Sequence, residues 1–200
     1  MFNVDVLVHT EARDAVLAAL RSAVRGVPDI LIAPTLPGVR NGGDVLMHLR
    51  FPDDLGWPRV RARVDEALSS PVVTRVDSVT YRGRPVGPDD PGGSVYRTLF
   101  LRVAPDTPGD VVERFESDLA ALPRYVSTIT AWQLSRVEDA TGVSDWTHVF
   151  SQRFTNLAGL TGPYLMHPIH WAYVDRWFDP ECPEFIIRDR VCHSFCALPR

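Results

Sequence analysis

Two hundred residues are enough for one large domain or two small ones. The chain is 45% hydrophobic and 23% charged with a formal net charge of −4, a balance that fits a globular protein and gives no basic footprint for nucleic acid. No apolar run reaches membrane-spanning length, and the opening Met1-Phe2-Asn3-Val4-Asp5 lacks the basic and apolar regions of a secretory signal. The expectation is a cytoplasmic protein with no nucleic-acid or membrane partner.

Phe2 to His9 alternates and is rich in β-branched residues, which predicts a strand. Glu11 to Val24 carries Val16, Leu17, Leu20 and Val24 at helical spacing, with Thr10 as the expected N-cap and Gly26 and Pro28 as the stop. Asp29 to Ala33 is a short apolar strand, Pro34 to Gly43 a loop, and Asp44 to Phe51 a third strand. Pro52 to Leu68 is predicted helical through Val60, Val64 and Leu68, and Pro71 to Tyr81 is a fourth strand. The order is βαββαβ, a split pair of βαβ units.

Gly83 to Gly93 holds four glycines and three prolines. That composition predicts a linker at 85–93, dividing a repeat over 1–84 from a second over 94–200. The order then recurs. Ser94 to Val103 is a strand, Pro108 to Leu122 a helix, and Tyr125 to Val137 a strand. Asp145 to Phe154 is a strand and Thr155 to Met166 a helix. Pro168 to Phe178 is a short helix and Phe185 to Cys196 the last strand. Each half has a third strand that starts with Asp and carries a His: Asp44 and His48, Asp145 and His148. The pattern points to a diverged duplication.

Three cysteines, Cys182, Cys192 and Cys196, argue against a disulfide framework. Cys192 and Cys196 lie four residues apart in an expected strand, roughly 13 Å, too far for a bridge. Buried apolar thiols are the simpler reading. His167 and His170, with Asp175 or His193, could reach a metal at three-residue spacing, but Pro168 between them breaks the helical geometry. Neither a metal nor a cofactor is expected.

The chemistry concentrates in Tyr164-Leu165-Met166-His167-Pro168-Ile169-His170. Pro168 lacks an N–H and disfavours helical geometry at His167, so one helix should end near Met166 and another start at Pro168. Such a break turns Tyr164 and His170 toward a common space, and a phenol beside an imidazole suits proton transfer. In an extended Asp145 to Phe154, residues Trp146, His148, Phe150, Gln152 and Phe154 share one face. That aromatic set with two polar members fits either a ligand cavity or a core.

Tyr-x-x-His-Pro-x-His after a strand and helix, and before a final strand, resembles the stress-responsive dimeric A/B barrel (Dabb) family. The likeness runs from Tyr96 to about Cys196; residues 1–84 share only the element order. It implies an α+β fold of two ferredoxin-like repeats whose antiparallel sheets pack face to face as a barrel. One chain would build what single-repeat members build by dimerising, a monomeric pseudo-dimer or a homodimer of it. In cyclase members the Tyr and the last His are the catalytic pair. Carried to this chain, His170 is the base and Tyr164 the oxyanion donor on a polyketide-like or aromatic carbonyl compound. His148, Trp146, Phe150, Trp132, His167 and Trp171 form the expected substrate-binding set. One departure stands out: the cyclases carry a further His near the start of the first strand, and this chain has Tyr96-Arg97-Thr98 there. Two alternatives remain open, a cofactor-independent monooxygenase of a phenolic substrate and a non-enzymatic stress-responsive barrel.

Overall fold

The computed structural model describes residues 1–199. The first half contains β1 (Phe2–Thr10), α1 (Arg13–Ala23), β2 (Asp29–Pro34), β3 (Val45–Phe51), α2 (Gly56–Leu68) and β4 (Val73–Arg82). The second contains β5 (Val95–Leu101), α3 (Gly109–Ala121), β6 (Ile129–Thr141), β7 (His148–Phe154), α4 (Leu157–Gly159), α5 (Pro168–Tyr173) and β8 (Cys192–Ala197). The strands form one antiparallel sheet in the order β2-β3-β1-β4-β6-β7-β5-β8. β4 and β6 join the halves, from Ser78 opposite Thr141 to Tyr81 opposite Val137. The outer edges then approach each other. Leu36 N–H donates to the Phe195 carbonyl at 2.9 Å, and Arg40 and His193 exchange backbone bonds at 3.0 and 2.9 Å. These bonds nearly close the sheet, giving the α+β barrel that the sequence predicts.

The period-two alternation of the strands divides the side chains between two compartments. Val4, Val6 and Val8 pack with Met47 and Leu49 against Leu17 and Leu20 of α1 and Val60 and Val64 of α2. In the second half Leu99, Phe150 and Phe154 pack against Phe115 and Leu119 of α3, with Tyr164 and Trp177 in the same cluster. The opposite faces meet inside the barrel, where Leu7, Leu46, Tyr81, Tyr96, Phe100, Trp146 and Val149 pack together. Burying such side chains stabilises the fold by roughly 1.5–3 kcal/mol each. Among the described residues no helix is long and apolar enough to cross a membrane.

The differences from the sequence reading have local causes. Asp145–Trp146–Thr147 lie outside the strand, so Trp146 falls out of the alternation and packs inside the barrel with Phe100. β6 runs on to Thr141 because Gly142 (φ 124°) makes the turn; a Cβ there would meet Asp77 Oδ1 at 2.2 Å. The stretch before Cys192 is not strand, since the N–H groups of Ile186 and Ile187 both donate to the Trp177 carbonyl at 3.1 and 3.0 Å. Residues 85–91 are tied to the sheet: Val86 and Trp132 exchange backbone bonds at 2.7 and 3.0 Å, laying the segment across β6. Cys182, Cys192 and Cys196 are free thiols, and burial pushes Cys192 and Cys196 up to about 12.

Candidate functional site

The Tyr164-to-His170 stretch folds as its prolines dictate. Asn156 Oδ1 accepts from the Gly159 N–H at 2.9 Å and starts α4. Pro163 has no N–H to give, and the chain continues as one wide π-turn over Leu160–Tyr164. Tyr164 points inward at 1% exposure, while Leu165 and Met166 face out. His167 is extended (φ −71°, ψ 131°), and its Nδ1 accepts from the Ile169 N–H at 3.2 Å, capping α5 behind Pro168. His170, three residues on, faces Tyr164. The two rings meet edge to face with centroids 4.9 Å apart.

This pair sits between the sheet and the helices, over a polar strip of β5 and β7. Arg97 and Gln152 are directly opposite in the register. Arg97 Nη1 donates to Tyr164 Oη at 3.2 Å and also to Gln152 Oε1, while its guanidinium stands 5.1 Å from the centre of the Tyr164 ring. A guanidinium can only donate. Tyr164 Oη is therefore the acceptor in that contact, and its own proton is free to go elsewhere. Burial draws Arg97 below the usual guanidinium range, with Tyr164 acting against that shift. His170 Nδ1 lies 3.2 Å from Asp175 Oδ1, near enough for an ion pair though misaligned for a hydrogen bond. Burial lowers the His170 pKa, Arg97 lowers it further, and Asp175 opposes both, leaving a net downward shift. A neutral imidazole at pH 7 is the result. Beside Arg97, His193 of β8 is pushed down to about 2, first by burial and then by Arg97, Arg40 and His170.

Three buried side-chain atoms in this group have no protein partner, Arg97 Nε, Gln152 Nε2 and His193 Nε2, and His170 Nδ1 has only the misaligned Asp175 carboxylate. Native interiors rarely leave such atoms unpaired, and each calls for an outside partner. A second polar group, inside the barrel, is its opposite. The Asp5 carboxylate lies 2.5 Å from His48 Nδ1 and accepts from Tyr81 Oη at 3.2 Å and Thr98 Oγ1 at 2.6 Å. Arg50 Nη2 lies 3.3 Å from His48 Nε2, which assigns the His48 proton to Nδ1 and makes it a donor to Asp5. Burial and then Asp5 hold the Tyr81 and Tyr96 phenols well above their usual range.

The other sequence-predicted residues are dispersed. His148 turns to α3: Nε2 is 3.0 Å from Glu116 Oε1, Nδ1 is 2.8 Å from Thr147 Oγ1, and the ring meets the edge of Phe115. Burial lowers its pKa and Glu116 opposes that. Phe150 and Trp132 are edge to face at 6.4 Å. Trp171 is 57% exposed on α5. Among the described residues no group of three or more His, Cys, Asp or Glu is placed to hold a metal ion. None of the five main clefts among those residues is lined by Tyr164 or His170; the one at the barrel mouth reaches Gln152. Sequence reasoning did not bring Arg97 or Gln152 to Tyr164 and His170, and it set Asp175 beside His170 only as a possible metal ligand. The available signal was a lone arginine on the otherwise apolar row Val95, Leu99, Leu101 of β5.

Residues 95–192 match the family model described as Stress responsive A/B Barrel Domain (Dabb). The second half of the chain is a Dabb domain, and structural neighbours share the fold. An anthrone oxidase-like protein superposes with a TM-score of 0.67 at 9% identity, covering 100% of this chain and 91% of that one. A chlorite dismutase from Candidatus Nitrospira defluvii superposes at 0.55 and 11% identity, over 99% and 91%. A major regulator of staphylococcal pathogenesis superposes at 0.54 and 6% identity, over 99% of both chains. At such identities the likeness concerns the fold alone. No curated protein matches the chain significantly in sequence.

Proposed function

We propose that this chain is a cofactor-independent enzyme of the cyclase, isomerase or lyase type, acting on a polyketide-like or aromatic carbonyl compound. The observation that carries the reading is the contact of the Tyr164 and His170 rings over Arg97. His170, kept neutral by burial and Arg97, is the base that removes a proton beside the carbonyl. Tyr164, whose oxygen already accepts from Arg97, donates its proton to the carbonyl oxygen as that oxygen gains charge. Asp175, 3.2 Å from Nδ1, balances the imidazolium that forms. Deprotonation gives an enolate and a protonated His170; the enolate carbon either takes that proton back, or attacks a second carbonyl whose new alkoxide oxygen takes the proton from His170, and the base is restored on both routes.

The test is α-proton exchange in D2O. A panel of aryl 1,3-diketones and aryl methyl ketones is followed by NMR with the whole chain, and oxygen uptake is recorded in parallel. The reading expects catalysed loss of the α-proton signal without oxygen uptake, abolished by His170→Ala. Oxygen uptake with phenolic compounds instead would transfer the site to a monooxygenase. A second reading, in which the Tyr-to-His turn only locks the helices to the sheet, is favoured by the burial of Tyr164 against Phe154 at 5.3 Å. No exchange with any compound, together with loss of folding in His170→Ala, would establish that reading.

A further inference from the structure

Arg97 is a buried cation without a counter-ion. It is 4% exposed, and its hydrogen bonds run from Nη1 to the neutral oxygens of Gln152 and Tyr164. Burial draws its pKa down, and no carboxylate acts against that shift. Charged side chains are almost never buried unpaired, because their desolvation then goes uncompensated. With Nη1 spent, the Nε–Nη2 edge of the guanidinium is left, and Nε has no partner. That edge carries two parallel N–H groups, the arrangement that takes both oxygens of a carboxylate.

Two more unpartnered groups share its side of the sheet. Arg97 alternates with Val95 and Leu99 on β5, Gln152 with Phe150 and Phe154 on β7, and His193 with Phe195 on β8, and those apolar neighbours all pack in the helix-side cluster. In the register Arg97 lies between Gln152 and Phe195. Gln152 Oε1 accepts from Arg97, so its amide N–H groups are what remain, and Nε2 is buried without a partner. His193 Nε2 is left in the same way. The acid in this group, Asp175, stands against His170 Nδ1 instead. Phe154, Tyr164 and Phe195 surround the polar atoms with apolar rings. α5, which carries His170 over the group, has no buried residue and is the wall least anchored against entry.

We infer that the Nε–Nη2 edge of Arg97 and the Gln152 amide bind the carboxylate of a 3-oxo acid, whose ketone oxygen meets Tyr164 and whose intervening carbon meets His170. This rests on the proton-transfer reading above and narrows it to one substrate class. Arg97 Nη1 reaches Tyr164 Oη at 3.2 Å, so the donors for carboxylate and ketone are neighbours, as the two acceptors are on a 3-oxo acid. His170 takes the proton between them, the C–H electron pair becomes the enolate, and the bonds of the carboxylate are unchanged. The guanidinium balances the carboxylate, so the enolate does not form beside an uncompensated negative charge.

The test uses the whole chain with 3-oxo-3-phenylpropanoate, its uncharged methyl ester, and acetate. Binding is followed by NMR of the Arg97 Nε–H and the Gln152 side-chain amide. The acid should bind saturably and at least about tenfold more tightly than the ester, the difference that one charge-assisted hydrogen bond makes. Arg97→Met should bring acid and ester to equal affinity, and Arg97→Lys should restore part of the preference. Equal binding of acid and ester by the unaltered chain, which needs no variant, would overturn the site, as would an unchanged preference in Arg97→Met. Acetate binding as tightly as the acid would make this a site for a free anion and contradict the proposal. A preference that persists in His170→Ala while no compound exchanges its proton would keep the site and end the reaction. Exchange of the ester as fast as the acid would keep the reaction and end the site.

Discussion

Two buried polar groups lie on opposite faces of one sheet and differ in how far their hydrogen-bonding atoms are paired. Inside the barrel, both Asp5 carboxylate oxygens have donors, and those donors come from both halves of the chain. On the helix side, Arg97, Gln152 and His193 each keep a buried atom without a partner, and His170 Nδ1 has only a misaligned carboxylate. A satisfied network specifies one packing of the halves, whereas the other group leaves hydrogen-bonding capacity over.

Substitutions can break that comparison. The largest expected effect is Asp5→Ala, which strips His48, Tyr81 and Thr98 of their shared acceptor. A cost of about 3–5 kcal/mol is expected, seen as a fall of ten degrees or so in thermal midpoint for a chain of this size. A similar fall for His193→Gln would erase the distinction between the groups.

Acid comes next. His9, His148, His170 and His193 all have lowered pKa values in the fold, with burial the first cause of each. The unfolded chain therefore takes up protons below about pH 6.5 that the native chain refuses, and stability declines as pH falls from 7 toward 5. His193, at about 2 in the fold, contributes about 2 kcal/mol of that decline by pH 5. Denaturant titrations at pH 7.5 and 5.0 should show the gap between the two pH values shrinking in His193→Gln. Catalysed exchange should fall off in acid at a lower pH than an ordinary histidine would give, because burial lowers the His170 pKa.

At the small end, Trp171→Ala on the exposed side of α5 should change stability by no more than about 0.5 kcal/mol. A loss of exchange activity in that variant would bring Trp171 into substrate contact.

Much of the fold was legible because its signals are local. The alternation of Phe2–Thr10 and the Val16-Leu17-Leu20 stripe each reflect short-range rules. The break at Pro168 was legible for the same reason, since a proline restricts its own φ and its neighbour's ψ. Arg97 was not. Its meaning depends on Gln152, 55 residues away, and on Tyr164, 67 residues away, and no sequence period reports such contacts. Trp146 was misplaced because alternation was extended two residues past the start of β7, where it no longer governs which face a side chain takes.

The most direct measurement is made on Arg97→Met, with thermal midpoint and α-proton exchange recorded on the same sample. Arg97 is a buried cation with no carboxylate partner, so its replacement by an apolar side chain should leave the midpoint unchanged or raise it. Exchange should drop about 100-fold as the Tyr164 hydroxyl loses the donor that orients it. A collapse in midpoint with exchange per folded molecule preserved would make Arg97 a structural residue and contradict the account.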